Sequence, residues 1–380
     1  MRQNSGSTCV LITCTQSRID VMDIESRIGL IKSDPLEEII TEPELRSLLE
    51  GNSNPKHYFG LEISGMPHIG HLFLSGKKIN DFHKAGIKTQ VLLADWHTMA
   101  NNKFGGDWNR IIIASKFYEK LFNIVCPNTS VILGSKLYEK NDDYWKLLMQ
   151  LARRTTMARA TRTLIIEGRS QRDVLHVSQY IYPIMQAADI IALDADMPHA
   201  GIDQRRIHVL AKELFDEMKL KKIVPVHHHL LASLAEPPKV EEIDKAGTKE
   251  EVVAAMKMSK SKPGSMIPVL ATDEELERIV KHAWCPERIV AQNPVLELCH
   301  FIIFPINGSM NVERKSEYGG DVSYASYSQM ESDFAAGKLH PMDLKRAVFE
   351  SLKTIMEPVR REFRGKNEEL ISVFAQDAPK

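Results

Sequence analysis

Two histidines three residues apart, His68 and His71, stand behind a Gly and a Pro in GMPHIGH (65–71), and far along the chain two lysines, Lys257 and Lys260, alternate with serines in MKMSKSKPG (256–264). On spacing alone, His-x-x-His fits a metal site, a proton relay or an exposed turn of helix. A metal site needs further ligands at fixed places, and the chain has neither an H-E-x-x-H pattern nor a C-x-x-C pair. Imidazoles on the first turn of a helix that follows a strand have another use. They donate hydrogen bonds to phosphate oxygens where the helix N-terminus already favours an anion. Gly70, lacking a side chain, would let a flat base approach that helix. The basic stretch reads either as a solvated loop or as a mobile one whose Lys257 and Lys260 clamp a triphosphate. The run His227, His228 and His229 fits a metal on composition, but a strand end beside a nucleotide suits it better, with His208 near that nucleotide. No resident metal is expected.

Strands and helices must bring these residues together. HYFGLEISG (57–65) and TQVLLADWH (89–97) read as strands, as does SVILGS (130–135). The apolar face of Ile69, Leu72, Phe73, Ile79 and Phe82 makes 68–86 a helix closed by Gly86. Strand–helix–strand alternation of this kind predicts an α/β fold with a parallel sheet, whose ligands bind at the carboxyl ends of the strands. Residues 34–51 read as helical segments, 137–190 as mainly helical, 190–201 as a strand then a loop, and 235–251 as an exposed loop. From about 266 the pattern turns helical. The expected division is an N-terminal extension (1–33, partly disordered), a catalytic domain (34–265) with a helical insertion at about 137–180, and an all-α domain (266–380).

Composition narrows the function classes. The chain has 380 residues, 43% hydrophobic and 26% charged, with a formal net charge of −1. Nucleic-acid binding, if present, must come from local patches. ARRTTMARATRTLIIEGRSQR (152–172) is a candidate for such a patch, with Arg153, Arg154, Arg159, Arg162, Arg169 and Arg172 against the single acid Glu167, although each arginine alone also fits a solvated helix face. The five cysteines are scattered, which fits a reduced intracellular compartment. No apolar run is long enough for a transmembrane helix. A cytoplasmic location is expected.

Pro-His-Ile-Gly-His followed by Lys-Met-Ser-Lys-Ser, in that order, resembles the paired signature of class I aminoacyl-tRNA synthetases. YIYPIMQAADI (180–190) resembles the amino-acid-specificity helix of the tyrosyl-tRNA synthetases of the archaeal and eukaryotic branch. YFGLEISGMPHIGH, LLADWH, GIDQRRIHVLAKEL, YGGD and LHPMDLK extend the likeness from about residue 34 to about 363. The resemblance implies a Rossmann-type catalytic domain, a helical anticodon-binding domain and a homodimer. It implies that Tyr58 and Asp189 bind the phenol hydroxyl of L-tyrosine, with Tyr182, Gln186 and Gln204 around its ring and α-amino group. Gly60 and Asp203 would border the ATP adenosine and its ribose, beside the Gly70 and His208 already placed near the nucleotide. His68, His71, Lys257, Met258, Ser259, Lys260 and Ser261 would lie along its phosphates, with Mg²⁺ carried on the ATP. Arg162, Arg205 and Arg206 would lie near the acceptor end of tRNA(Tyr), and Tyr318, His340 and Asp343 near its anticodon.

The chemistry of those residue types agrees. A phenol hydroxyl in a closed pocket needs polar partners, and a Tyr with a carboxylate supplies donor and acceptor. Phenylalanine would leave both unpaired. Carboxylate attack on a phosphorus needs positioning and charge stabilisation, not a protein nucleophile. Two rival readings stand beside this one: a synthetase for another aromatic amino acid, and a non-catalytic RNA-binding paralogue.

Overall fold

Helix starts in this chain are written in its side chains. Asp23 caps α1 (Ile24–Lys32), and Thr41 with Glu44 closes a capping box on α2 (Glu42–Gly51). Between them lies β1 (Leu36–Ile39), the first of six strands in one sheet. The others are β2 (His57–Leu61), β3 (Gln90–Leu93), β4 (Ser130–Leu133), β5 (Met197–Gly201) and β6 (Val226–His228), in the order β1-β6-β5-β2-β3-β4. All neighbours run parallel except β1, which is antiparallel to β6. These statements concern the described residues of the computed structural model, which are 22–164, 176–237, 257–258 and 264–375.

The chain order reverses between β2 and β5, so the crevice at their carboxyl ends is where a ligand belongs. A π-type turn (Gly70–Leu74) running into α3 (Ser75–Lys84) covers one side of it. α4 (Asp95–Ala100) follows β3, and α5 (Trp108–Val125) leads to β4. α6 (Gly134–Tyr138), α7 (Asp142–Arg154), α8 (Met157–Leu164) and α9 (Val177–Ala192) form the helical stretch before β5, and α10 (Arg205–Glu217) joins β5 to β6. Beyond residue 266 come α11 (Asp273–His282), α12 (Pro294–Leu298), α13 (Phe304–Asn307), α14 (Tyr327–Ala335), α15 (Pro341–Phe363) and α16 (Glu368–Ser372).

Four expectations change. Residues 34–51 are not wholly helical, because Leu36–Ile39 is an edge strand. In 190–201 the apolar Ile190–Leu193 closes α9, and the strand is the less apolar MPHAG behind it. The segment after 266 is not all α: Met310–Val312 (β7) and Val322–Tyr324 (β8) pair antiparallel. Of the expected N-terminal extension, Ile24–Lys32 is a helix whose Ile31 is packed with Leu45, Phe82 and Val226. Residues 1–21 and most of 235–251 lie outside the described residues.

One apolar cluster runs from Phe59, Ile69 and Phe117 through Ile267 and Leu276 to Ile302, Val348 and Phe374. A second, behind the crevice, joins Tyr58, Leu92, Tyr138, Tyr144, Ile184, Ala188 and Leu214. The crevice therefore lies between two packed bodies that hold its walls.

Candidate active site

Tyr182, Gln186 and Asp189 are spaced i, i+4 and i+7 on α9, which puts all three on one face. That face forms one wall of a cleft of about 260 Å³. Tyr58 and Gly60 of β2 form its floor; His68, Gly70 and His71 rim it; Asp203, Gln204, His228, His229, Lys257 and Met258 close the far side. Residues scattered over 200 positions of sequence thus meet at the sheet's reversal point.

Asp189 is buried in the cleft wall, 1% exposed. Its Oδ1 accepts hydrogen bonds from the Tyr138 hydroxyl at 2.8 Å and the Tyr144 hydroxyl at 2.9 Å. Burial raises the carboxyl to about 7, and the two phenols oppose that rise. Burial pushes both phenols up, so they stay protonated and must donate. Tyr58, 1% exposed, is raised by burial and by the charge of Asp189. His97 Nε2 stands 3.5 Å from Asp189 Oδ2. Burial lowers His97 to about 3, so the ring is neutral and this approach is not an ion pair.

Tyr138, Tyr144 and His97 escape a reading of the sequence. They come from α6, α7 and α4, and no spacing links them to Asp189. The available signal was chemical: a buried carboxylate requires donors, and the helical stretch before α9 supplies two tyrosines. Glu62, Asn101 and Lys103 also line the cleft unforeseen, with Asn101 Nδ2 hydrogen-bonded to Glu62 and Lys103 Nζ 3.5 Å from it.

At the other end, His68 Nδ1 accepts from the Gly70 N–H at 3.1 Å, which leaves the His68 proton on Nε2. His68 and His71 stack at 3.7 Å. A Cβ on Gly70 would lie 3.0 Å from the His68 ring, so this glycine is needed for the turn as much as for any ligand. Lys257 Nζ pairs with Asp203 Oδ2 at 2.7 Å, joining the first lysine of the basic motif to the carboxylate expected beside the ribose. Lys257 also bridges to Ala232, and the Met258 N–H donates to the Leu231 carbonyl at 2.7 Å.

The family model for tRNA synthetases class I (W and Y) matches residues 50–357. The chain belongs to that family. A tyrosine–tRNA ligase from Pyrococcus horikoshii is 41% identical over 367 residues, covering 92% of this chain and 97% of its own. The crystal structure of tyrosyl-tRNA synthetase complexed with L-tyrosine from Pyrococcus horikoshii has a TM-score of 0.84 at 40% identity, covering 92% of this chain and 100% of that one. The tyrosyl-tRNA synthetase of Aeropyrum pernix has a TM-score of 0.80 at 33% identity, covering 93% of this chain and 100% of its own.

Not every residue expected of a class I synthetase site reaches the cleft. His208 is fully buried, its Nδ1 3.0 Å from His227 Nε2. It sits behind the cleft wall, so an ATP contact through its side chain is not available there. The three consecutive histidines do not converge on a metal. His227 Nδ1 meets Glu38 at 2.8 Å, His228 Nδ1 meets His199 at 2.8 Å, and His229 lies between Glu37 (2.5 Å) and Glu297 (3.2 Å). Among the described residues no group of three or more His, Cys, Asp or Glu side chains could hold a metal ion. Arg206 Nη1 donates to the Arg162 carbonyl at 3.3 Å, which brings those two together. Arg205 instead grips Glu38 at 2.8 Å. His340 caps α15 through Nδ1, and Asp343 lies in that helix's first turn, while Tyr318 ends the short turn Ser316–Tyr318. Ser259, Lys260, Ser261, Arg169 and Arg172 lie outside the described residues.

Proposed function

We infer that the chain is a tyrosine–tRNA ligase: it activates L-tyrosine with ATP and transfers the tyrosyl group to tRNA(Tyr). The observation that carries the choice of amino acid is Asp189, a buried carboxylate at the closed end of a cleft whose other end holds His68, His71 and Lys257. Oδ1 is engaged by two tyrosines, which leaves Oδ2 as the acceptor for a substrate phenol, with Tyr58 beside it. Tyr182, Gln186 and Gln204 hold the ring and the α-amino group. This orients the tyrosine carboxylate toward the ATP α-phosphorus, with Gly60, Gly70 and Asp203 bordering the adenosine.

A carboxylate oxygen then forms a bond to the α-phosphorus, and the bond to the bridging oxygen breaks in line. Pyrophosphate leaves with that electron pair. His68 and His71 donate to the phosphates, and Lys257 and Lys260 balance the growing charge. For Lys257 this means exchanging Asp203 for a phosphate. Mg²⁺ enters as part of the ATP substrate. A ribose hydroxyl at the tRNA 3′ end next attacks the tyrosyl carbonyl and releases AMP. Arg162, Arg205 and Arg206 guide that end. Tyr318, His340 and Asp343, in an anticodon-binding domain from 266 onward, read the anticodon by stacking and hydrogen bonding. The ligase works as a homodimer in the cytoplasm; among the described residues no helix is long and apolar enough to cross a membrane.

ATP–pyrophosphate exchange with tyrosine, tryptophan and phenylalanine offered singly tests the reading. Exchange is expected with tyrosine. Exchange that does not depend on tyrosine overturns it.

A further inference from the structure

Three buried imidazoles cross the sheet beneath the cleft. His57 opens β2, His199 is the middle residue of β5, and His228 ends β6. His57 Nε2 lies 3.0 Å from His199 Nδ1, and His199 Nε2 lies 2.8 Å from His228 Nδ1. His57 and His199 are fully buried, while His228 lines the cleft at 5% exposure. Phe59 and Phe82 pack on the His199 ring at 5.1 and 5.2 Å. Nothing in the reaction described above uses this chain.

Proton counting gives it a direction. Burial holds all three rings below the usual histidine range, so each is neutral and carries one N–H. The two contacts consume two N–H groups and two lone pairs. One end of the chain must then present an N–H, and the other a bare lone pair. The ends are His57 Nδ1 and His228 Nε2. His57 Nδ1 is sealed from solvent with no hydrogen-bond partner among the described residues. An orphaned buried N–H is rarer than an under-used acceptor, so the lone pair belongs at His57 and the N–H at His228 Nε2. Each ring then fixes the tautomer of the next, as a partner on one imidazole nitrogen does for the other.

His228 pairs in register with Gly201 on β5, and it lines the cleft together with Asp203, whose charge acts on the His228 ring, and Lys257, which pairs with Asp203 at 2.7 Å. We propose that His228 is a nucleotide-binding residue, whose Nε2–H is offered to a ribose or phosphate oxygen of ATP, and that His199 and His57 are the positioning residues that hold that tautomer and ring plane. This rests on the reading of the cleft as the ATP site of a tyrosine–tRNA ligase.

Two measurements test it. In unmutated protein labelled with ¹⁵N-histidine, the ring resonances of His228 should show a neutral imidazole protonated on Nε2; protonation on Nδ1 overturns the proposal. In the second, His199→Leu removes the donor to His228 Nδ1. The KM for ATP in pyrophosphate exchange should rise about three- to tenfold, the worth of one neutral hydrogen bond, with the KM for tyrosine unmoved. In a His228→Asn background, adding His199→Leu should give no further rise. An equal rise in both backgrounds means a packing defect and overturns the proposal. Failure of the underlying reading looks different: the unmutated chain would then show no tyrosine-dependent exchange at all.

Discussion

Asp189 is poised between its two states. Its carboxyl is raised to about 7 by burial, against the hydrogen bonds of Tyr138 and Tyr144, with the charge of Asp95 adding to the rise. Only the carboxylate can accept from Tyr138, Tyr144 and a substrate phenol together. In the exchange assay, kcat/KM for tyrosine should therefore fall as pH drops from 8 to 6, with a midpoint near 7. Tyr144→Phe removes one hydrogen bond to a charged group, worth about 1.5–3 kcal/mol, which moves the midpoint up by roughly one to two pH units. At pH 7.5 this variant should lose affinity for tyrosine and regain part of it at pH 9. A profile that stays in place would mean that Tyr144 only fills space. At this scale the sequence was informative where residue types and spacing carry the signal, as in Tyr182, Gln186 and Asp189. It was silent on Tyr138 and Tyr144, whose meeting with Asp189 is made by three separate helices.

Elements decide how the lysine motif is held. Residues 229–234 form a rail along which Lys257 and Met258 pair, and α12 grips that rail. Glu297 of α12 accepts from the Ala232 N–H at 2.8 Å and meets His229 Nε2 at 3.2 Å, while Phe301 stacks on His229 at 4.1 Å. Burial alone would lower His229, but hydrogen bonds and charges from Glu297 and Glu37 outweigh it and raise the ring from 6.5 to about 9. The cation is thus native-state property. Its contribution to stability is complete below pH 6.5 and is lost as pH rises through 9. Glu297→Gln keeps an acceptor for Ala232 and deletes the charge. It should cost about 1–3 kcal/mol near pH 6.5, and the gap in Tm between variant and parent should close by pH 9.5. A gap independent of pH would remove His229 from the account. The other half of this clamp, Glu37 on β1, was hidden in the sequence because LEEII reads as helix. A short edge strand carries charge on both faces, and here Glu37 and Glu38 serve His229 and His227. MPHAG was hidden for the opposite reason: a fully buried parallel strand shows no alternation, and a neighbouring helix end is more apolar.

For the whole molecule, the parallel sheet was legible because strand, helix and strand alternate over long stretches; the boundary near 266 was drawn where the pattern turns helical. The apolar cluster that includes Phe117, Ile267, Ile302 and Phe363 crosses that line without a break. Packing therefore ties the region that would read tRNA to the region that would activate tyrosine, and Leu231, Leu234 and Met258 beside Lys257 belong to the same cluster. A different surface speaks to assembly. α7 and α8 both pack on α9, and exposed apolar side chains stand on all three: Met149 of α7 (68% exposed), Met157 of α8 (61%), and Val177 (77%) and Ile181 (39%) of α9. Large apolar side chains exposed on adjoining helices mark a docking face more often than a free one. If that face joins two copies, Met157→Glu with Val177→Glu should halve the mass seen by sedimentation equilibrium, because each isologous contact places both charges twice in the interface. Tyr58, Asp189, Asp203 and Lys257 meet around one cleft within the protomer, so the separated protomer should keep tyrosine-dependent pyrophosphate exchange. An unchanged mass would place the dimer contact elsewhere, and a monomer without exchange would show that the second copy holds α9, and with it Asp189, in place.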